Sequence, residues 1–255
     1  MWSGDKDKEK GKGFVIGIHG KIGSGKNETA KQIRKVFKNG DLYQERAFAD
    51  SLKQINSALT RSDIKTQYSD EGKNSLVVVS INGEIKLDTE EATRVCLELN
   101  VVKGLEKYVL KQIIENIILC VKNSFPNNSG IVLTTIGILL QAIGKGFREN
   151  INEFVWVNHC LRDVSPGTAL LITDVRSPNE KKCIKDLGGK MVKVVGDPKG
   201  VRARSNRDLN DISETALDND VDWDFIINNE EDNIDNLISQ VKELEKCLLN
   251  QEIDN

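Results

Sequence analysis

A glycine-rich loop between a predicted strand and a predicted helix constrains the fold of this chain more than any other feature. An apolar run over residues 14–18 predicts a buried strand, and a helix is predicted from Lys26 to about Phe37. The loop between them fits the pattern G-x-x-x-x-G-K. Its glycines let backbone N–H groups surround a phosphate, and its lysine is a mobile cation for the outer phosphates. The pattern predicts a nucleoside triphosphate site formed by Gly20, Lys21, Gly23, Ser24, Gly25, Lys26 and Asn27.

The residue after the loop lysine departs from this pattern. Asn27 stands where a serine or threonine usually helps to hold Mg²⁺. We expect the metal to be held through the Asn27 carbonyl oxygen, through water, or by a carboxylate elsewhere. Two other interpretations of the loop are a glycine-rich turn without a ligand and a dinucleotide-binding turn. The second is disfavoured because G-x-G-x-x-G is absent.

The composition limits the expected partners. Thirty-six basic against 39 acidic residues give a net charge of -3, which argues against nucleic acid as a partner. No segment approaches the roughly 18 consecutive apolar residues of a membrane helix, and residues 1–12 predict a flexible tail without a secretory signal. Five scattered cysteines indicate a reducing compartment. We therefore expect a cytoplasmic monomer or homodimer that binds small-molecule nucleotides and neither nucleic acid nor a membrane.

Strands alternate with helices along most of the sequence. This alternation predicts a three-layer α/β/α fold with a mostly parallel five-stranded sheet, in a single domain over residues 13–250. Residues 76–130, with an Asn-Gly hairpin turn and a long amphipathic helix, form a predicted insertion. The predicted sheet strands are residues 14–18, 47–49, 169–173, 191–195 and 224–227, and the predicted helices outside the insertion are residues 26–37, 50–59, 134–147, 152–163, 178–187 and 234–248.

Charged residues follow the most apolar of the predicted strands. Ligands bind beyond the carboxyl ends of strands in open α/β sheets, and Arg176 has a guanidinium that suits bidentate phosphate binding. Asp174 is placed to organise Mg²⁺ or its waters. The alternative for this pair is a capping carboxylate beside a surface cation. Glu180 either orients Arg176, contacts the substrate, or is a first-turn acid that favours the helix dipole.

Five further blocks of sequence carry a resemblance to a known family. They are residues 48–53 (F-A-D-S-L-K), 70–74 (D-E-G-K-N), 139–144 (L-L-Q-A-I-G, followed by Arg148 and Trp156), 174–180 (D-V-R-S-P-N-E) and 213–218 (S-E-T-A-L-D). Together with the loop, and in this order, they resemble the phage-type deoxynucleoside monophosphate kinases, a branch of the P-loop kinases. The similarity runs from Gly13 to about Ile238, with its main gap over residues 76–134.

The resemblance implies a P-loop kinase-type fold and a Mg²⁺-dependent enzyme that transfers the γ-phosphoryl group of ATP to a deoxynucleoside monophosphate. It implies that Arg176 and Arg148 hold the acceptor phosphate, which already presents an oxyanion nucleophile and needs no strong general base. The implied catalytic residues are Lys26, Asp174, Arg176 and Arg148, with Asp174 and Asn27 at the metal. The implied substrate-binding residues are Asp50, Lys53, Lys73, Gln141, Arg148, Trp156, Arg176 and Glu180.

Several of these residues have a plainer interpretation. Gln141 is expected to pair with a base edge and Trp156 to stack on the base or sugar, but a solvent-facing glutamine and a buried tryptophan fit equally well. Asp50 is equally a helix N-cap. The family usually has an arginine shortly before L-L-Q, whereas residues 136–138 are I-G-I here. This departure leaves the identity of the acceptor open.

The polar stretch of residues 196–212 lies where nucleotide kinases have a closing lid. Its arginines are Arg202, Arg204 and Arg207, and we expect Arg202 and Arg204 to contact ATP. In such a lid, arginines neutralise the transferring phosphoryl group and the closed loop excludes water. The alternative is a solvated cationic loop.

Two other functions remain open. The first is a P-loop kinase of another small phosphorylated metabolite, since phosphomevalonate kinases resemble this layout. The second is a nucleotide-binding regulatory protein without turnover; the family-like blocks argue against it, while the missing hydroxyl after Lys26 leaves a weakened enzyme open. The absence of N-K-x-D argues against a GTPase. His19 and His159 have no metal-ligand partner at useful spacing, so neither receives a predicted role.

Overall fold

The structure, a computed structural model, describes residues 14–125, 130–165, 167–204 and 212–253. The strands are, in chain order, β1 (Val15–His19), β2 (Gln44–Arg46), β3 (Leu76–Ile81), β4 (Glu84–Ile85), β5 (Ile131–Thr135), β6 (Leu170–Val175), β7 (Lys190–Val195) and β8 (Phe225–Asn228). The helices are α1 (Lys26–Val36), α2 (Asp50–Thr60), α3 (Asp70–Lys73), α4 (Thr89–Glu98), α5 (Lys107–Asn123), α6 (Ile136–Asn150), α7 (Val155–Leu161), α8 (Pro178–Asp186), α9 (Ile212–Thr215) and α10 (Ile234–Ile253). Short 3-10 turns cover Gly40–Leu42, Ile64–Gln67 and Arg202–Arg204.

Five strands form one parallel sheet in the order β2-β6-β1-β7-β8. The central strand β1 is buried along its whole length and pairs with β6 on one side and β7 on the other. A strand of this kind is an apolar run because both of its faces are covered. The prediction of an α/β fold with a five-stranded parallel sheet is therefore confirmed.

Helices pack against both faces of this sheet. On one face, Ile33 of α1 and Val241 of α10 share a core with Ile16 of β1. Successive side chains of a strand point to opposite faces, so Gly17 lies on the other face, where α8 packs. A Cβ atom added to Gly17 would lie 2.7 Å from Cδ1 of Ile184 in α8, and only glycine allows the helix to come this close. The arrangement is consistent with three layers.

The chain divides into two compact units. Unit 1 consists of the chain up to Ala47 and from Asp163 onward, and unit 2 is the continuous segment Phe48–Arg162. At the crossing point, Nη1 of Arg46 lies 2.6 Å from Oδ1 of Asp163 and Nη2 donates to Oδ2 at 3.1 Å, so the two ends of unit 1 lie side by side. A single domain over residues 13–250 stays a prediction, and the predicted tail of residues 1–12 lies outside the described residues.

Unit 2 contains an antiparallel sheet in the order β4-β3-β5. Asn82 and Gly83 have φ angles of 47° and 88°, and such positive values belong to the two-residue turn of a β-hairpin. The predicted hairpin is thus confirmed. Helices α2, α5 and α6 contribute Ile55, Ile114 and Leu139 to a core that is separate from the core of unit 1. In the described ranges, no helix combines the length and the apolar character needed to cross a lipid bilayer.

Several predicted boundaries are wrong: the helix predicted over residues 152–163 is Val155–Leu161, the last helix extends to Ile253, and two further differences have a clear physical cause. The second strand is Gln44–Arg46 and not residues 47–49, which form the turn before α2. As an edge strand that pairs only with β6, it carries polar side chains that an apolar pattern does not reveal. The helix predicted from Thr134 begins at Ile136, because Thr134 and Thr135 end β5 and the Thr135 side chain caps α6 by accepting from the Ile138 N–H.

Candidate phosphate-binding site

The glycine-rich loop joins β1 to α1 at the carboxyl edge of the parallel sheet. Gly23 and Gly25 have φ angles of 79° and 93°, in the left-handed region that favours glycine. A side chain at Gly20 would meet the carbonyl oxygen of Val194 at 2.5 Å, and a side chain at Gly23 would meet the carboxylate of Asp197. The three glycines of the motif are therefore required by the conformation of the loop and by its close neighbours.

Carbonyl oxygens of the loop are held by two side chains from later in unit 1. Asn229, just after β8, donates from Nδ2 to the Ser24 carbonyl at 2.9 Å. Arg202 donates from Nε to the Ile22 carbonyl at 3.1 Å and also donates to the Gly196 carbonyl. These bonds fix the loop through its carbonyl groups. Arg202 thus contacts the loop backbone, while its predicted contact with ATP stays a prediction.

The lysine of the motif folds over the loop that precedes it. Nζ of Lys26 donates to the Gly20 carbonyl at 2.5 Å and to the Lys21 carbonyl at 2.9 Å. The hydroxyl of Ser24 is buried within the loop and has no hydrogen-bond partner among the described residues. Buried polar groups are normally satisfied, so this hydroxyl suits a site that takes a polar ligand. Asn27 is exposed at the start of α1.

Glu214 connects the loop to the end of β6. Its carboxylate pairs with the guanidinium of Arg176 and lies close to the backbone of Ile22 in the loop. Only 6% of the side chain is exposed. Burial alone would raise the pKa of Glu214, but the charge and hydrogen bond of Arg176, the charge of Lys26 and the nearby backbone of Ile22 outweigh it and hold the pKa below its ordinary value. Glu214 is therefore an ionised carboxylate among groups that attract anions.

Sequence reasoning assigned no role to Glu214. The residue belongs to the S-E-T-A-L-D block, so its position was marked by the resemblance. However, the sequence separation between Glu214 and Arg176 hides their pairing, because no helical or strand periodicity relates the two residues. The fold brings together Lys26 and Arg176, both predicted site residues, through a carboxylate that was not predicted.

Asp174 and Glu180 lie on either side of Arg176. Asp174 is the penultimate residue of β6 and is half-buried. Glu180 accepts hydrogen bonds from the backbone N–H groups of Arg176 at 2.7 Å and Ser177 at 3.0 Å, which completes a capping box at the start of α8. Burial, and then the negative charge of Asp174, raise the pKa of Glu180 to about 7. The helix-capping interpretation of Glu180 thus has direct structural support, while substrate contact stays a prediction.

His19 closes β1 immediately before the loop. Its Nδ1 lies 2.8 Å from the Val175 carbonyl oxygen, and its ring stacks on Trp223 with the ring centroids 5.1 Å apart. The ammonium groups of Lys181 and Lys193 lie 4.3 Å and 5.2 Å from the centroid of Trp223, at cation–π distance. This aromatic and cationic cluster, which the sequence did not predict, supports the end of β1.

Unit 2 contains the other predicted site residues. Around the start of α2, Asp50 accepts a hydrogen bond from the Tyr68 hydroxyl at 2.9 Å, and Nζ of Lys53 lies 3.9 Å from the centroid of the Tyr68 ring. Nζ of Lys73 donates to the Tyr68 carbonyl at 3.4 Å. The side chain of Asp50 does not cap α2. Tyr68, which was not predicted, is therefore the residue that brings Asp50, Lys53 and Lys73 together.

The last three predicted residues, on helices α6 and α7, differ in their exposure to solvent. Gln141 and Arg148 are exposed and lie two helical turns apart on α6. Trp156 is only 4% exposed, donates from Nε1 to the Gly144 carbonyl at 3.1 Å and packs on Phe147. Packing in the core and a satisfied N–H account for this tryptophan, and its contact with a base or sugar stays a prediction.

Within the part of the chain that the structure describes, no group of three or more histidine, cysteine, aspartate or glutamate side chains is arranged to hold a metal ion. A magnesium site made by one carboxylate together with nucleotide phosphates needs no such group, and the metal role of Asp174 stays a prediction. The side chain of Arg204, and Arg207 as a whole, lie outside the described residues.

Comparison with known proteins adds no assignment. No protein-family model matches the chain, and no curated protein matches it. The resemblance to deoxynucleoside monophosphate kinases therefore stays a prediction, and the geometry of the loop and of Arg176 is what a functional proposal can draw on.

Proposed function

We propose that this chain is an ATP-dependent nucleotide kinase that transfers the γ-phosphoryl group to a deoxynucleoside monophosphate, giving ADP and the deoxynucleoside diphosphate. One observation carries the proposal: the phosphate loop and Arg176, from two neighbouring strands, meet at the same buried carboxylate, Glu214. A phosphoryl transfer between two anions needs cations and backbone amides that converge in this way.

In the proposed reaction, the loop amides and Lys26 bind the triphosphate, and Arg176 binds the acceptor phosphate. The ammonium of Lys26 exchanges its bonds to the Gly20 and Lys21 carbonyls for phosphate oxygens. The acceptor phosphate is itself the nucleophile, so positioning and charge neutralisation do most of the catalysis. A strong general base is not required, and neither His19 nor Glu180 is given that role.

The proposed metal is Mg²⁺, and Asp174 is the residue that would hold it or its waters. The half-buried carboxylate at the end of β6 fits a hard cation that prefers oxygen ligands. When bound together with ATP, Mg²⁺ would neutralise the negative charge that develops during the transfer. Asn27 is exposed, and its side-chain oxygen is the second candidate for the metal or one of its waters.

The first prediction tests transfer itself. ADP release is measured in a coupled assay with a panel of deoxynucleoside and nucleoside monophosphates, with phosphomevalonate as the competing acceptor. We expect turnover with one or more nucleotides. Lys26→Ala should reduce the rate about 100-fold or more, since it removes a cation from the transferring group. The matched control is Lys31→Ala, because this exposed lysine of α1 pairs with Glu28 at 3.2 Å and its removal should change the rate at most about fivefold.

Three outcomes would contradict the proposal. Turnover with phosphomevalonate and none with a nucleotide would identify a kinase of another metabolite. ATP binding without ADP release for any acceptor would favour a regulatory protein. Unchanged turnover in the Lys26→Ala variant, with the fold intact by circular dichroism, would remove the phosphate loop from the reaction.

A further inference from the structure

The surroundings of the Glu214 carboxylate are those expected for a bound phosphate group. The guanidinium of Arg176 pairs with it, and the backbone of Ile22 in the phosphate loop lies close to it. The ammonium of Lys26 contributes to the same positive field. Loop amides and arginine are donors that bind phosphate oxygens, and a carboxylate oxygen accepts from the same donors with similar geometry.

A carboxylate and a phosphate cannot occupy these donors together. Glu214 is almost fully buried, so the solvent screens its charge poorly. A phosphate that approached Arg176 beside the loop would meet a negative charge at close range and would compete for the same guanidinium. Either the carboxylate leaves these donors or the phosphate stays out.

We infer that the Arg176 guanidinium, beside the phosphate loop, forms a phosphate subsite, and that Glu214 is an internal anion that occupies it until a phosphate group of a nucleotide displaces the carboxylate. The inference rests on the proposed function, because it takes the loop and Arg176 to be phosphate ligands. Displacing the Glu214 carboxylate costs free energy. The protein therefore binds polyphosphate less tightly than its hydrogen-bond donors alone would allow. Removal of the carboxylate should therefore strengthen binding.

The test compares anion binding by the full chain and two charge variants. Affinities for inorganic tripolyphosphate and for ATP are measured by isothermal titration calorimetry in the absence of an acceptor. Glu214→Gln keeps the size of the side chain and removes its charge, and it should bind tripolyphosphate at least about fivefold more tightly than the wild type. The matched control is Asp218→Asn, which removes a charge near the same loop but from an exposed pair with Lys21, and its effect should stay within about twofold.

A double variant separates displacement from a general charge effect. If Glu214 competes for Arg176, the gain from Glu214→Gln should shrink to within about twofold in an Arg176→Gln background, because one donor of the subsite is then missing. Thermal melts establish that each variant is folded. If Glu214→Gln does not fold, Glu214→Asp withdraws the carboxylate by one methylene group and should give a smaller gain of the same sign.

Unchanged or weaker tripolyphosphate binding by a folded Glu214→Gln or Glu214→Asp variant would overturn the inference. An equal gain in Asp218→Asn would do the same, because it would show a general effect of charge. The proposed function can fail independently of the subsite. If the variants show the expected gain in affinity but the protein transfers phosphate to no acceptor, the subsite is supported and the kinase assignment is contradicted. If the protein turns over nucleotides but the variants show no gain, the kinase assignment is supported and the subsite is contradicted.

Discussion

The imidazole of His19 lies among positive charges. Burial lowers its pKa from the ordinary value of 6.5, the hydrogen bond to the Val175 carbonyl partly offsets this, and the charges of Lys26, Lys193 and Arg176 lower it further. The unfolded chain takes up this proton near pH 6.5, whereas the folded protein does so only at lower pH. The stability that the neutral ring contributes is therefore present above about pH 6.5 and is lost as the pH falls below it.

This pH dependence can be tested with His19→Asn. Asparagine keeps an N–H donor for the Val175 carbonyl and takes up no proton. Between about pH 7.5 and about pH 5.5, the wild type should lose more of its unfolding free energy than the variant, because only the wild type takes up a proton at this position on unfolding. Urea denaturation at the two pH values measures this difference. Glu180, whose raised pKa acts in the opposite direction, is common to both proteins and cancels. Parallel pH profiles would show that His19 does not titrate as argued.

At the residue scale, spacing predicted the loop and chemistry predicted Asp174 and Arg176. The motif fixes glycines and a lysine within a few residues of each other, so their joint position follows from the sequence alone. Glu214 and Tyr68 were not predicted, because their positions relative to their partners do not follow from sequence spacing. Each acquires its role from partners brought together by the fold, and neither belongs to a motif with a stated mechanism.

The loop as an element depends on the strand that ends beside it. Asn229 follows β8, donates from its backbone to the Val195 carbonyl at 2.7 Å and from its side chain to Ser24. A single side chain thus ties the outer strand of the sheet to the loop. Replacing Asn229 should therefore change both the unfolding free energy and the affinity for ATP.

Asn229→Ala removes the bond to Ser24 and leaves a buried carbonyl oxygen without that donor. We expect the unfolding free energy to fall by about 1–2 kcal/mol and ATP binding to weaken, because the loop loses one of its supports. The matched control is Asn228→Ala, at an exposed neighbouring residue, which should stay within about 0.5 kcal/mol. Chemical denaturation and calorimetry give the two quantities. Weaker ATP binding with unchanged stability would mean that Asn229 contacts the ligand and does not support the loop.

At the element scale, apolar periodicity predicted the buried strands and the long helices. It failed where an element is polar, short or half-exposed. The edge strand Gln44–Arg46 was predicted instead at the neighbouring apolar residues 47–49, and the end of β5 was predicted as part of the helix that follows it. Helix α4 was not predicted, although Asp88 caps it by accepting from the Glu91 N–H at 3.0 Å. The start of α4 is defined by its cap, which apolar periodicity does not reveal.

On the scale of the whole molecule, unit 2 is continuous in sequence and has a core of its own. Because this core is drawn entirely from Phe48–Arg162, we expect a fragment of residues 48–162 to fold alone. Its single tryptophan, Trp156, is a buried reporter of that fold. A cooperative thermal transition seen by both circular dichroism and tryptophan fluorescence is the expected result.

The control fragment, residues 76–162, lacks α2 and with it Ile55 and Leu59 of the core. It should melt without cooperativity, because a buried face is left uncovered. A fragment of residues 48–162 that behaves like this control would show that unit 2 requires unit 1 for its stability. At this scale the sequence predicted the fold class. It did not predict the division into units: Pro166 and Gly167 follow the end of unit 2, but no proline or glycine in residues 41–71 marks its start.

The pairing of Arg46 with Asp163 also bears on the order in which the chain assembles. Parallel pairing of β2 with β6 joins segments that are distant in sequence, and such contacts are slow because closing a long loop costs entropy. If the segment between β2 and β6 has already folded with its two ends adjacent, the entropy cost of closing the loop is that of a short loop. Strands β2 and β6 can then pair as if they were near neighbours in the chain.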